Sequence, residues 1–184
     1  MLSSFWGLNA VSTVILFMAV YAKQAIGFDD QTLQLFFLVT GSAALLAAFA
    51  WGGLTERFGG YRALGWVWGI WAAVFALAAV SQNQLLFWGL GCAAAVALSG
   101  TWVASRVLIL DWVGPAQVGE AFGWFGLVSR LSAILGPLVW GWVIWAGAPL
   151  GLFRYRLAMG ALLVFMLLGW GMYRRLESGR MKGS

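Results

Sequence analysis

The sequence predicts an all-α, polytopic membrane protein built as one bundle of six transmembrane helices. Three observations carry that expectation. The 184 residues are 62% hydrophobic and only 9% charged, with a mean hydropathy of +0.88, which leaves too little polar surface for a soluble domain of this size. Six apolar runs are each long enough, at about 20 residues, to cross roughly 30 Å of hydrocarbon. Between the second and third runs lies Trp51-Gly-Gly-Leu-Thr-Glu-Arg-Phe-Gly-Gly-Tyr-Arg62. Its Glu56, Arg57 and Arg62 are too dense in charge to lie in hydrocarbon, so the stretch is expected to be a tight interfacial turn.

Taken in order, the first helix is predicted over about 5–27. It is polar for a membrane span: Asn9, Ser12 and Thr13 fall at i, i+3 and i+4 and share a face, and Asp29-Asp30 marks the loop that follows. The second, about 31–54, is rich in small residues that let helices approach closely. The third, about 63–80, carries Trp66, Trp68 and Trp71, and Ser81-Gln-Asn-Gln84 is a polar, uncharged turn. On the fourth, about 85–110, Ser99, Trp102 and Arg106 share a face, with Thr101 and Ser105 beside it. Gly114-Pro115 breaks the chain before the fifth helix, about 120–146, which sets Glu120 at its start, Arg130 well inside and Gly136-Pro137 near mid-span. The sixth, about 157–173, ends in Arg174-Arg175, and 176–184 is expected to be a short polar tail. Trp6, Trp51, Trp112 and Trp145, near predicted helix ends, suit an interfacial belt.

Composition also excludes chemistry. With no His, one Cys and six acidic residues, the chain cannot build a zinc site, a Ser-His-Asp triad or a Cys-His pair in their usual forms. No enzyme, cofactor or metal is therefore expected. The net charge of +5 does not point to nucleic acid, because the cations cluster at the ends of apolar runs, where they act as topology signals. If the charged turn is cytoplasmic, that side holds Arg57, Arg62, Arg106, Arg174, Arg175, Arg180 and Lys182, against Lys23, Arg154 and Arg156 outside, which puts both termini in the cytoplasm. The N-terminus lacks a cationic region and a cleavage site, so the first helix is expected to be retained.

Read as Gly52-x-Leu54-x-Glu56-Arg57-x-Gly59-x-x-Arg62, the charged turn resembles the signature loop of the major facilitator superfamily, with Glu56 where Asp is usual. Ser105-Arg106, Gly119-Glu-Ala-Phe-Gly-Trp-Phe-Gly126 and above all Ser129-Arg-Leu-Ser-Ala-Ile-Leu-Gly-Pro-Leu-Val-Trp-Gly141 extend the likeness. From about 9 to 175 the chain is similar to the C-terminal six-helix half of the Atg22-like, UMF1-type permeases of that superfamily. The resemblance implies two inverted three-helix repeats, with a substrate cavity between two halves near mid-membrane. Where that branch commonly has an Asp in the first helix this chain has Asn9, and where it has a Gln this chain has Trp102.

The resemblance implies that the first and fourth helices line the cavity, making Asn9, Ser12, Thr13, Ser99, Thr101, Trp102 and Ser105 the candidate substrate contacts. The plainer alternative is that these groups bond backbone carbonyls or a neighbouring helix. Glu56, Arg57, Arg62, Arg106, Glu120 and Arg130 are expected to form a cytoplasmic charge network in which the two carboxylates hold Arg106 and Arg130. Gly136-Pro137 is a candidate hinge. The expected function is secondary transport of a small polar solute by alternating access in a bacterial plasma membrane, as a fragment or as half of a twelve-helix assembly with a second copy or a separate chain. A non-transporting membrane scaffold or a lipid-handling protein are the alternative classes.

Overall fold

The computed structural model describes residues 2–81 and 83–180, with side chains over 5–81 and 83–175. The described residues fold as helices and turns: α1 Leu2–Tyr21, continued by one wide π turn over Ala22–Ile26; α2 Asp30–Val80; α3 Gln84–Trp112; α4 Val118–Ala146; and α5 Phe153–Arg180. Single 3-10 turns, Pro115–Gln117 and Ala148–Leu150, precede α4 and α5. Five helices are long and apolar enough to cross a membrane.

One of them is too long to cross it once. At about 1.5 Å per residue, the 51 residues of α2 would reach about 77 Å, more than twice the hydrocarbon thickness. The helix is broken at Gly59, whose φ of 80° and ψ of 156° lie outside the region open to residues with a Cβ. The arms on either side, 30–58 and 60–80, fold back on each other. Trp51 and Val67 would lie about 24 Å apart on one straight helix, yet both reach Gly100 of α3, where an added Cβ would meet their side chains at 2.5 and 2.7 Å. The break is one residue wide, and the helix runs through Glu56, Arg57 and Phe58 up to it.

The packing follows from what drives helices together in lipid. Hydrocarbon solvates leucine as well as a neighbouring helix does, so close contact, small residues and internal hydrogen bonds decide which faces meet. Phe49, Leu46 and Val80 are more than 70% exposed, as lipid-facing side chains can be. Trp68, Trp71, Phe75, Met159, Leu162 and Met166 fill the centre, where the second arm of α2 packs on α5 and reaches α1 through the Trp68 side chain. The outer edge of the Trp68 ring occupies the space a side chain at Gly7 would need, and Phe36 that of a side chain at Gly91. Trp51 is 6% exposed and its indole donates to the Val96 carbonyl at 2.8 Å. It is therefore a core residue and leaves the expected interfacial belt. The notch at Gly100 receives it.

The Gly27 end of the bundle, where α2 both starts and finishes, is tied by side chains. The Tyr21 hydroxyl donates to Ala78 at 2.7 Å, Gln84 donates to Ile26 at 3.2 Å, and Lys23 pairs with Asp30 across the turn. The Asp29 carboxylate accepts from the Thr32 backbone at 3.2 Å and starts α2; the hydrogen bonds from Thr32 hold it below the usual carboxylate range. Arg156 closes the other terminus of the same helix. Its Nε donates to Ala79 at 3.0 Å and a terminal nitrogen donates to Val80, two carbonyls that the helix cannot satisfy internally. Replacing Arg156 with Gln is expected to lower stability by about 1 kcal/mol, because the site is half-exposed and water takes up part of the loss. Thermal unfolding in detergent checks this, a fall of about 2–4 °C being expected. An unchanged midpoint would mean that the guanidinium contributes nothing there.

Candidate functional site

The polar face of α1 turns inward, against α4. Asn9 and Thr13 are wholly buried. Asn9 Nδ2 donates to Phe5 at 2.8 Å, and the Thr13 hydroxyl donates to the Asn9 carbonyl at 2.7 Å. Opposite them, Ser132 donates to Phe5 at 3.1 Å and to Val128 at 2.8 Å, while Gly136 admits the Thr13 hydroxyl where a side chain would otherwise stand. Phe17 stacks on Trp140 at 5.4 Å, one turn further along both helices. The pairings 5 with 132, 13 with 136 and 17 with 140 make α1 and α4 parallel neighbours. Ser132, Gly136 and Trp140, spaced at i, i+4 and i+8, are the buried residues of α4. Along this seam the Asn9 Oδ1 is buried with no hydrogen-bond partner among the described residues.

The stripe on α3 divides. Thr101 is wholly buried, donating to Ala97 at 2.8 Å and accepting the Trp71 indole at 3.1 Å. Ser105 is buried and lines a small cavity of about 100 Å³ with Leu64, Trp112 and Phe125. Ser99, which donates to Val96 at 2.9 Å, is half-buried, and Trp102 and Arg106 stand on the surface. Ser12 is half-buried on α1. The structure thus draws Asn9, Thr13, Thr101 and Ser105 into contacts within the bundle and leaves Ser12, Ser99 and Trp102 at or near its surface. A cavity of about 280 Å³ between α1, α2 and α3, lined by Met18, Phe36, Trp71 and Leu98, contains none of them.

The charged residues behave alike. Glu56, Arg57, Arg62, Arg106, Glu120 and Arg130 are all exposed, and among the described residues none joins an ion pair. Glu120 accepts the Trp124 indole, four residues on, at 3.4 Å. Pro137 sits within α4, which stays helical through it.

These features, a near-continuous apolar bundle with one glycine break in a charged turn, agree with comparison to known proteins. Residues 1–183 match the family model described as Major Facilitator Superfamily. The chain belongs to the Major Facilitator Superfamily. It is also 27% identical over 139 residues to an uncharacterized MFS-type transporter, YxiO, of Bacillus subtilis (strain 168), an alignment covering 76% of this chain and 32% of that protein. The chain thus spans about a third of the length of this curated relative. No solved structure matches it.

In this superfamily member, two sets of contacts at the Gly59 end were not foreseen from the sequence. The Asp111 carboxylate, at the end of α3, accepts the Gly60 backbone N–H at 3.3 Å and so caps the second arm of α2. Tyr61 and Tyr173 stack at 4.6 Å and exchange hydrogen bonds: the Tyr61 hydroxyl donates to the Tyr173 carbonyl at 3.1 Å and the Tyr173 hydroxyl to the Tyr61 carbonyl at 2.6 Å. Asp111 could have been suspected from position alone, as a carboxylate ending one span beside the break between two others. Nothing in the sequence pairs Tyr61 with a residue 112 positions away.

Proposed function

We propose that this bundle is one half of a secondary carrier that moves a small polar solute across the membrane by alternating access. The observation that supports it best is a guanidinium unsuited to lipid. Arg130 lies about 18 Å along α4 from Val118, is exposed and has no ion-pair partner among the described residues. A charge near the bilayer centre costs about 2.5–3.5 kcal/mol on insertion scales, so its face calls for water or a polar neighbour. Ser99, Trp102 and Arg106 give α3 a second partly polar face on the surface. Faces of this kind support a second six-helix half opposite them, whether in the same polypeptide, a separate chain or another copy.

In this reading α2 crosses the membrane twice, giving six spans in two inverted three-helix repeats, and both termini lie in the cytoplasm of a bacterial cell, as the Lys and Arg count favours. The resemblance to Atg22-like permeases supports that branch. Glu56 and Glu120 hold Arg106 and Arg130 in a cytoplasmic charge network that breaks and re-forms as the halves rock, with Arg57 and Arg62 at its rim and Gly136-Pro137 as the bending point. Ser12, Ser99 and Trp102 face the solute, and Asn9, Thr13, Thr101 and Ser105 set the helices that carry them.

The test is labelling of single cysteines at Ser99 and Trp102, in a Cys92→Ser background in liposomes, by a membrane-impermeant maleimide. Labelling that a transported solute blocks is expected. Absence of labelling in both positions would mean that these faces meet lipid. Solute uptake by a strictly monomeric six-helix chain would sink the two-half assembly.

A further inference from the structure

The Gly59 end carries a pocket that the transport reading does not use. Between the second arm of α2 and α5 lies a cavity of about 500 Å³. Its mouth holds two exposed guanidiniums, Arg62 and Arg174, and among the described residues no carboxylate lines it. Among the described residues neither cation joins an ion pair; Arg174 lies 4.4 Å over the Trp170 ring. The stacked Tyr61 and Tyr173, locked by their reciprocal hydrogen bonds, form a rigid base. From that base the cavity continues past Gly65, Gly69 and Ala73, three small residues on one face of α2, into the apolar length of the helix.

We infer that this cavity is a binding site for an anionic glycerophospholipid, its phosphodiester held between Arg62 and Arg174 and one acyl chain lying along the Gly65–Gly69–Ala73 groove. Charge and shape argue for the lipid together. Guanidiniums bind phosphate oxygens through paired N–H donors, and basic pockets between membrane helices near the interface suit lipid headgroups. Trp66 and Trp170 flank the mouth, where amphipathic rings are stable between headgroup and hydrocarbon. A soluble phosphate would use the mouth and leave the apolar groove open; a lipid fills both. The site depends on the membrane-spanning fold and is independent of any transported solute.

Native mass spectrometry of the chain released from nanodiscs of phosphatidylcholine, with or without phosphatidylglycerol, tests this. The wild type is expected to retain one phosphatidylglycerol. The Arg62→Gln, Arg174→Gln double variant is expected to bind it roughly 25-fold more weakly, about fivefold for each cation near an anionic surface. A second variant, Gly69→Leu, leaves both cations in place and fills the groove, and it is expected to lose the lipid as well. Melting in phosphatidylcholine alone, unchanged in both variants, shows that they fold. Equal retention by the wild type and the double variant would overturn the site. Retention by Gly69→Leu would overturn the acyl groove, and displacement of the lipid by soluble glycerophosphate at equal concentration would reassign the pocket to a free phosphate ester.

Discussion

Replacing Gly60 with alanine is expected to destabilise the bundle by about 3 kcal/mol, the largest effect of any single methyl group in this protein. A Cβ there would stand 2.5 Å from the Leu108 backbone nitrogen, 2.9 Å from its Cα and 3.0 Å from the Val107 carbonyl carbon. All three atoms belong to the main chain of α3, so no rotamer change relieves the overlap. The helix must move by about an ångström to restore ordinary contact, and that motion also stretches the Gly60 to Asp111 hydrogen bond. Thermal unfolding in detergent is expected to show a midpoint lower by about 6–12 °C. Gly53 is the control. An added Cβ there meets nothing within 4 Å, so Gly53→Ala is expected to be neutral or to stabilise the helix by up to about 1 kcal/mol. Equal effects at the two positions would refute close packing as the cause.

The second large effect is expected at Gly136, for a different reason. Its added Cβ would lie 1.9 Å from the Thr13 hydroxyl and 2.5 Å from the Asn9 carbonyl oxygen. One of these atoms belongs to a side chain and the other to the backbone. Gly136→Ala is therefore expected to cost about 2–3 kcal/mol, and the double variant with Thr13→Ala to regain about 1 kcal/mol of it, leaving the Asn9 carbonyl clash in place. A double-mutant cycle by thermal or denaturant unfolding measures the recovery. Strict additivity would mean that the seam between α1 and α4 is not as close as its geometry states.

The glycine break and the helices around it were legible because a bilayer leaves few choices for Glu56, Arg57 and Arg62. Its width was not legible. Long side chains on the last helical turn can reach the interface while the backbone stays helical, so the break contracts from the expected 52–62 stretch to Gly59. The spacing of Asn9, Ser12 and Thr13 gave a shared face correctly in outline, with Ser12 at its edge. Helical period cannot say whether that face meets water or another helix. The answer lay in Ser132 and Gly136, more than a hundred residues away. Trp51 shows the same limit: its place near a predicted helix end suits an interfacial ring, and only the notch at Gly100 makes it a core residue. For Glu56, Arg106, Glu120 and Arg130, topology sets the end of the molecule, and the rotation of each helix about its own axis sets whether they touch.

The ties at the two ends of the bundle are unequally shared. The second arm of α2 is fastened at one tip by Tyr21 and Arg156 and at the other by Tyr61, Tyr173 and Asp111, so with α1, α3 and α5 it forms a stiff frame. In contrast, α4 buries a single stripe, Ser132, Gly136 and Trp140, packed chiefly on α1, and meets α5 and α3 through partly buried side chains. A rod held chiefly along one stripe takes its position from that stripe, so a change at Ser132, Gly136 or Trp140 re-aims the whole of α4 against the rest of the bundle.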